Sequence, residues 1–261
     1  MSVARKIGRA AAITLVAGTV GGAAVLAAEA IAARSRRYAQ PALGLAVRAS
    51  IGRSEAPPLR LVLLGDSSAL GVGVDEVADT VGGHLASALS SNGLHRVELS
   101  SVGVSGSRSA DLATQVARAL LGVRPDVAVI LVGANDATGL RRPADAGAHL
   151  AAAIRRLRDA GAAVVVGTCP DLGASRAFAP PLRQVVGWLG QRIGRAQARA
   201  ALAAGAEVID LAAETGPVFR ADPGTLCHDG YHPSADGYQL WAHALYPAVA
   251  VAAGGAKEPS A

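Results

Sequence analysis

A serine in the first third of the chain, and an aspartate and a histidine near its C-terminus, are the residues best suited to covalent chemistry. Ser67 follows the apolar run 59–64 through Gly65-Asp66, at the point where a predicted strand ends. A serine hydroxyl is a weak nucleophile until a base removes its proton. The segment Asp229-Gly230-Tyr231-His232 offers an imidazole as this base and a carboxylate that can orient it. The three residues therefore predict acyl transfer.

Two other loops carry groups that could stabilise the negative charge of an acyl-transfer intermediate. Gly103 lies in the run 101–106 after a predicted strand, and its lack of a side chain leaves the backbone N–H accessible. Asn135 follows the next predicted strand, in Gly133-Ala134-Asn135-Asp136, and its amide can donate a hydrogen bond. With the N–H of Ser67, these two groups form the predicted oxyanion hole. Asn135 would also suit a helix N-cap, and we interpret Asp136 as structural.

Strand-like and helix-like segments alternate along the chain and position these loops. The predicted strands lie near residues 60–64, 96–100, 126–132, 162–168 and 206–211. The predicted helices lie near residues 76–91, 109–121, 144–160, 183–204 and 234–252. Strands that are apolar on both faces are typical of a parallel sheet covered by helices on each side. The sequence therefore predicts a three-layer α/β fold with a five-stranded parallel sheet, whose carboxyl edge binds the ligand.

The sequence of the N-terminal region predicts a membrane helix. Three basic residues, Arg5, Lys6 and Arg9, precede the uncharged run 10–28, which as a helix would rise about 28 Å, close to the hydrocarbon thickness of a bilayer. An uncleaved anchor is favoured by this length, whereas Ala28-Glu29-Ala30 has the small-x-small form of a signal-peptide cleavage site. Arginines after the run favour a cytoplasmic domain, and a signal-like N-terminus favours export. We favour export slightly.

The chain therefore divides into four predicted segments. A membrane anchor or signal segment with basic flanks covers residues 1–37, and a linker that ends in Ala56-Pro57-Pro58 covers residues 38–58. The catalytic domain covers residues 59–252, and a flexible tail covers residues 253–261.

The motifs of the catalytic domain resemble those of the SGNH, or GDSL-type, hydrolases. Gly65-Asp66-Ser67 is similar to the nucleophile motif of that family, and Gly103 to its oxyanion glycine. Gly133-x-Asn135-Asp136 is similar to its asparagine motif, and Asp229-x-x-His232 to its Asp/His motif. The resemblance covers residues 60–245 and implies a flavodoxin-like SGNH-hydrolase fold. It also implies an esterase, lipase, thioesterase or carbohydrate deacetylase that forms an acyl-enzyme on Ser67, without a metal or cofactor.

Two positions depart from the pattern of that family. Ser68 replaces the leucine of the GDSL name, and Ser101 replaces an asparagine that is common before the oxyanion glycine. The second change indicates a different support for the oxyanion loop.

The resemblance does not select a substrate. Leu172 and Phe178, which follow the fourth predicted strand, could line an acyl pocket or seal their loop onto the core. A membrane segment favours a lipid or cell-envelope ester as the partner. Two alternatives use the same fold: an acyltransferase that acylates a sugar or lipid hydroxyl, and a non-catalytic binding module, against which the complete set of site residues argues.

Composition narrows the remaining function classes. The net charge is +5, but the arginines are scattered and only 3% of residues are aromatic, so we expect no nucleic-acid partner. His228 and His232 have a metal-type spacing, but Gly230 and Pro233 predict a loop there, so we expect no metal. Cys169 and Cys227 are predicted to be neighbours beyond the sheet edge, bonded only if the domain is exported. The oligomeric state is not indicated.

Overall fold

A six-stranded sheet forms the centre of the computed structural model, which describes residues 22–44 and 47–255. The strands are β1 (Arg48–Ile51), β2 (Pro58–Gly65), β3 (Arg96–Ser101), β4 (Val127–Leu131), β5 (Ala163–Gly167) and β6 (Glu207–Ile209). Their spatial order is β1-β3-β2-β4-β5-β6, and β2 to β6 are parallel. The predicted α/β fold is thus confirmed, but the predicted total of five strands is wrong because a sixth strand is added at one edge.

The additional strand lies where the sequence predicted a linker over residues 38–58. β1 runs antiparallel to β3, with Arg48 opposite Ser100 and Ile51 opposite Val97. Its residues are only half-buried or exposed, in alternation. Its strand conformation therefore depends on hydrogen bonds to the edge of β3. A short edge strand of this kind has no apolar run, so the sequence does not predict it.

Helices cover both faces of the sheet. They are α1 (residues 22–35), α2 (Val81–Ser90), α3 (Leu112–Ala119), α4 (Ala134–Thr138), α5 (Pro143–Asp159), α6 (Leu182–Ala203), α7 (Leu211–Ala221) and α8 (Ala235–Gly255). Single turns of 3₁₀ helix occur at Val77–Asp79, Ser109–Asp111, Leu172–Ala174 and Pro223–Thr225.

The pleat of the central strands divides their side chains between two cores. Leu61 and Leu63 of β2 are buried in a cluster with residues of α2 and α8. Val62 and Leu64, which point the opposite way, are buried with residues of α3, α5 and α6. Strands buried on both faces read as continuous apolar runs, which is why the sequence predicts these strands well.

The predicted membrane segment at residues 10–28 lies only partly within the described residues. Residues 10–21 lie outside them, and residues 22–28 belong to α1. Of the helices in the described part of the chain, none is long and apolar enough to cross a bilayer. α1 instead contacts the catalytic domain, since Glu29 Oε2 accepts a hydrogen bond of 2.9 Å from the N–H of Leu182 at the start of α6.

The C-terminal boundary also differs from the prediction. The sequence predicted a flexible tail over residues 253–261, but α8 continues to Gly255 and Ala253 is buried against its neighbours. Residues 256–261 lie outside the described part of the chain.

Buried glutamines tie the carboxyl ends of the central strands together. Gln197 of α6 accepts a hydrogen bond of 2.8 Å from the N–H of Cys169, beyond β5. Its amide nitrogen donates at 2.8 Å to the carbonyl of Val132, beyond β4. Both backbone groups are thereby satisfied without water, so the ends of β4 and β5 keep a fixed separation.

A buried carboxyl group, that of Asp66, directly follows β2. Asp66 is 3% exposed, and burial raises its pKa from the usual 3.8 to about 6, against a hydrogen bond from the N–H of Ser68. In the folded protein this carboxyl group holds its proton to a higher pH than in the unfolded chain. Folding stability therefore falls as pH rises through the window between these two pKa values.

Asp66→Asn should therefore stabilise the protein at pH 8 by up to about 3 kcal/mol relative to the wild type, because the buried charge is removed. The advantage should shrink towards pH 4, where the native carboxyl group is protonated. Urea unfolding at both pH values measures the difference. The matched control is Asp75→Asn, since Asp75 is exposed in the same region. An Asp66→Asn effect that is equal at both pH values would contradict this account.

Candidate active site

The predicted serine, histidine and aspartate meet at the carboxyl edge of the sheet. His232 Nε2 lies 3.0 Å from Ser67 Oγ. His232 Nδ1 lies 2.6 Å from Asp229 Oδ2. All three side chains are buried or nearly so. The geometry allows the imidazole to take a proton from the hydroxyl while the carboxylate fixes its tautomer and orientation.

Ser67 is positioned by the sharp turn at the end of β2. Gly65 has a φ of +140°, and a Cβ atom there would overlap the carbonyl of Leu131, so only glycine fits. Gln115 of α3 holds the same residue, because its Oε1 accepts from the N–H of Gly65 at 2.7 Å and its Nε2 donates to the carbonyl at 2.8 Å. The nucleophile thus follows a backbone fixed from two sides.

The loop that carries Asp229 and His232 is closed by its own backbone. Asp229 Oδ1 accepts hydrogen bonds from the N–H groups of Tyr231, at 2.7 Å, and of His232, at 2.9 Å. Gly230 has a φ of +69°, and its carbonyl accepts from the N–H of Arg176 in the neighbouring loop. The spacing Asp-x-x-His therefore folds the carboxylate back towards the imidazole.

Asp229 is held in its ionised form by the hydrogen bonds that it accepts. Burial of its carboxyl group favours the neutral form, but hydrogen bonds from His232, Ala39 and Tyr231 outweigh burial, so its pKa lies well below the usual value. A carboxylate beside Nδ1 stabilises the positive charge that the imidazole gains on taking up a proton.

Two aromatic rings are packed in series on one side of the imidazole. The ring of Tyr231 packs edge-on against His232, with centroids 5.0 Å apart, and Phe178 packs on Tyr231 at 5.8 Å. Burial raises the pKa of Tyr231, which keeps its hydroxyl neutral. These rings exclude water from one side of the Asp229–His232 pair.

The two predicted oxyanion residues lie beside the nucleophile loop. The side-chain nitrogen of Asn135 donates to the carbonyl of Ser107 at 3.0 Å, which fixes the amide and leaves its second N–H available. At Gly103 a Cβ atom would lie 2.9 Å from the Cβ of Ala69, so a side chain is excluded. The N–H of Gly103 points to Ser101 Oγ over a long 3.3 Å.

Ser101 supports this loop in place of the asparagine expected there. Its hydroxyl donates to the carbonyl of Ala69 at 2.8 Å, which ties the end of β3 to the turn after Ser67. Asp136, which we interpreted as structural, accepts from the N–H and the hydroxyl of Ser109, both at 2.9 Å. Neither contact reaches Ser67.

An open groove of about 450 Å³ leads to the hydroxyl of Ser67. Phe178, one of the two predicted substrate-binding residues, lines this groove. Leu172 instead borders a small separate cavity of about 40 Å³ beside Ser67 and His232. It is also packed with Phe178 in an apolar cluster, so its loop is sealed onto the core.

The structure shows neither a metal-type cluster nor a disulfide among its described residues. Within residues 22–44 and 47–255, no three His, Cys, Asp or Glu side chains are grouped as a metal site. Cys169 and Cys227 are both free thiols, and the Sγ of Cys227 lies 3.2 Å from Asp229 Oδ1. Burial raises the pKa of Cys227 to about 11, which keeps this neighbour of the carboxylate uncharged.

Sequence reasoning missed several residues that support the site. Gln115 left a detectable signal, because it lies between Leu112 and Val116 on the buried face of α3, where a polar side chain must find partners. Tyr38 and Ala39 left none, since they belong to a segment that was interpreted as a linker.

Comparison with known proteins agrees with the motifs. The family model of the GDSL-like lipases and acylhydrolases matches residues 63–240. A GDSL-like esterase of Mycobacterium tuberculosis is 40% identical over 200 residues, which are 76% of this chain and 64% of that protein. The chain therefore spans less than two thirds of the length of this relative.

Solved structures share the fold at low sequence identity. A lipase/acylhydrolase from Enterococcus faecalis superposes with a TM-score of 0.61 at 24% identity, covering 74% of this chain and 96% of that one. A catalytic mutant of an acetylxylan esterase from Geobacillus stearothermophilus gives a TM-score of 0.58 at 18% identity, covering 76% and 95%. With the match over residues 63–240, these findings place the chain in the GDSL-like lipase/acylhydrolase family.

Proposed function

We propose that this protein is a carboxylic ester hydrolase that works through an acyl-enzyme on Ser67. The observation that carries the proposal is the continuous series of contacts from Asp229 through His232 to Ser67, at 2.6 and 3.0 Å, at the end of an open groove. The membership of the chain in a lipase and acylhydrolase family supports the same reaction class.

The proposed reaction has two halves. Ser67 Oγ attacks the ester carbonyl carbon as His232 Nε2 takes the hydroxyl proton, and the tetrahedral intermediate collapses when the same nitrogen protonates the leaving alcohol. Water then attacks the acyl-enzyme, with His232 again as the base, and the acid leaves as Ser67 regains its proton. Asp229 keeps Nδ1 protonated throughout and remains a carboxylate.

Three donors are proposed to bind the oxyanion. They are the N–H groups of Ser67 and Gly103 and the side-chain amide of Asn135. The close approach of Gly103 to the Ser67 turn supports this, as does the fixed orientation of Asn135 by the carbonyl of Ser107. One such donor contributes about 2.7–4 kcal/mol to lowering the barrier.

The groove favours an ester with an apolar acyl chain and a polar alcohol. Its lining includes the apolar side chains of Ala33, Phe178 and Val186, which belong to one cluster, and the polar side chains of Ser105 and Arg108. We propose that the acyl chain lies along this apolar cluster. A lipid or cell-envelope ester combines an apolar acyl chain with a polar alcohol in this way.

Ser67→Ala should abolish ester hydrolysis with loss of more than about 10⁴-fold in kcat, because no other group can form the acyl-enzyme. The measurement is turnover of p-nitrophenyl esters of graded chain length, with fluorophosphonate labelling of the wild type followed by peptide mass spectrometry. Ser68→Ala, one residue away, is the matched control and should retain activity. Labelling at another serine, or turnover only with an added alcohol acceptor, would overturn the hydrolase proposal.

Asn135→Ala should lower kcat by about 10²–10³-fold with little change in KM, since its amide binds charge that develops in the transition state. Steady-state kinetics on one ester give both constants. Asn92→Ala removes an exposed asparagine as the control. A change confined to KM would show that Asn135 positions the substrate and does not bind the oxyanion.

We propose that residues 10–28 retain the protein at a membrane with the catalytic domain exported. The length of the uncharged run supports the membrane placement, and the signal-like form of the N-terminus supports export. Cell fractionation should find the chain in the detergent-soluble membrane fraction with its first residues intact, and protease added outside the membrane should digest it. A full-length chain in the cytoplasmic fraction would contradict the proposal.

A further inference from the structure

We propose that the segment before the catalytic domain completes the active site: Ala39 and Tyr38 are positioning residues that orient Asp229 and shield its contact with His232. This inference rests on the proposed function and extends it to residues outside the region matched by the family model, which begins at residue 63. We name residues 38–40 the strap.

The main contact is a backbone hydrogen bond across 190 positions of sequence. The N–H of Ala39 donates to Asp229 Oδ2 at 2.9 Å. The same oxygen faces His232 Nδ1 at 2.6 Å. The other carboxylate oxygen is held by the loop itself, through the N–H groups of Tyr231 and His232. Ala39 thus fixes the oxygen that orients the base, from outside the Asp/His loop.

Tyr38 covers the imidazole from the same side. Its ring lies edge-on to His232, with centroids 6.5 Å apart, and edge-on to Tyr231 at 5.5 Å. Beneath the strap and the neighbouring loops, the side chain of Asp229 is 1% exposed and that of His232 is 8% exposed. Exclusion of water strengthens the interaction between carboxylate and imidazole.

The strap is held in place at its N-terminal end by α1. The hydroxyl of Tyr38 donates to the carbonyl of Ala33 at 3.0 Å, at the end of that helix. Ala33 is 8% exposed in a cluster with Phe178 and Val186. One turn earlier, Glu29 accepts the hydrogen bond from the N–H of Leu182 described above. α1 and the strap therefore line the part of the groove that lies next to the catalytic groups.

The expected effect is on the chemical step. A hydrogen bond to a carboxylate is stronger than one between neutral groups, and it restricts rotation of the carboxylate about its last bond. When it is lost, the imidazole keeps its partner but samples more orientations, and water reaches the pair. A less well oriented base lowers kcat, while a small substrate still binds, so KM should hardly change.

The test is an amide-to-ester replacement at residue 39 of the full-length chain, Ala39→lactic acid, which removes the N–H and leaves the side chain unchanged. With p-nitrophenyl acetate, kcat should fall about tenfold or more while KM stays within about twofold. The matched control is Ala42→lactic acid, the same chemical change at an exposed alanine. Wild-type kcat in the Ala39 variant, or a change in KM alone, would overturn the proposal.

Tyr38 variants provide a second measurement that needs no backbone change. Tyr38→Phe keeps the ring over His232 and should retain most of kcat, whereas Tyr38→Ala should lose several-fold. Equal loss in both variants would show that the hydroxyl only anchors the segment, and would contradict the shielding role. Thermal unfolding of each variant separates these effects from misfolding.

The two proposals fail in distinguishable ways. A wild type without turnover, or a Ser67→Ala variant with turnover, contradicts the proposed function. An active wild type whose Ala39 variant keeps full kcat contradicts the strap alone.

Discussion

The contact between His232 Nε2 and Ser67 Oγ joins two residues 165 positions apart, and the rest of the site serves to hold its 3.0 Å separation. A hydroxyl and an imidazole attract each other too weakly to fix two loops, since such a bond contributes only about 1 kcal/mol net. Both loops must therefore be rigid before they meet. The parallel sheet provides this condition, because its carboxyl edge brings the ends of β2 and β4 and the C-terminal loop together.

Buried glutamine side chains hold three strand ends at that edge. Gln115 holds Gly65 at the end of β2, and Gln197 joins the ends of β4 and β5. Asp229 similarly uses its second oxygen to close its own loop. A buried amide without a hydrogen-bond partner costs about 1–3 kcal/mol, so breaking any of these contacts is unfavourable. The backbone that carries the catalytic side chains is therefore held in one conformation.

The parts of the site that follow from the sequence are those with a side-chain signature. Ser67 and Asn135 are predicted because apolar strands end there in small polar residues, and parallel strands share an edge. Asp229 and His232 are predicted because a serine nucleophile needs a base and a carboxylate that orients it. Ala39 is not predicted, because it acts through its backbone N–H. Every residue except proline has this group, so its role leaves no mark on the sequence. Strand β1 is not predicted for a similar reason. Its four residues are stabilised by pairing with the edge of β3 and show no apolar pattern.

The contacts of α1 and the strap make the geometry of the active site depend on whether the N-terminal segment is cleaved. Cleavage after Ala30 would leave Tyr38 and Ala39 on the chain but remove Glu29, and with it the contact to α6. A retained segment keeps every contact. If residues 10–28 lie in a bilayer as proposed, Ala33 follows within about 8 Å along the helix axis, since each residue rises about 1.5 Å. Because Ala33 lines the groove, this part of the groove would then lie close to the membrane surface, near a lipid or envelope ester.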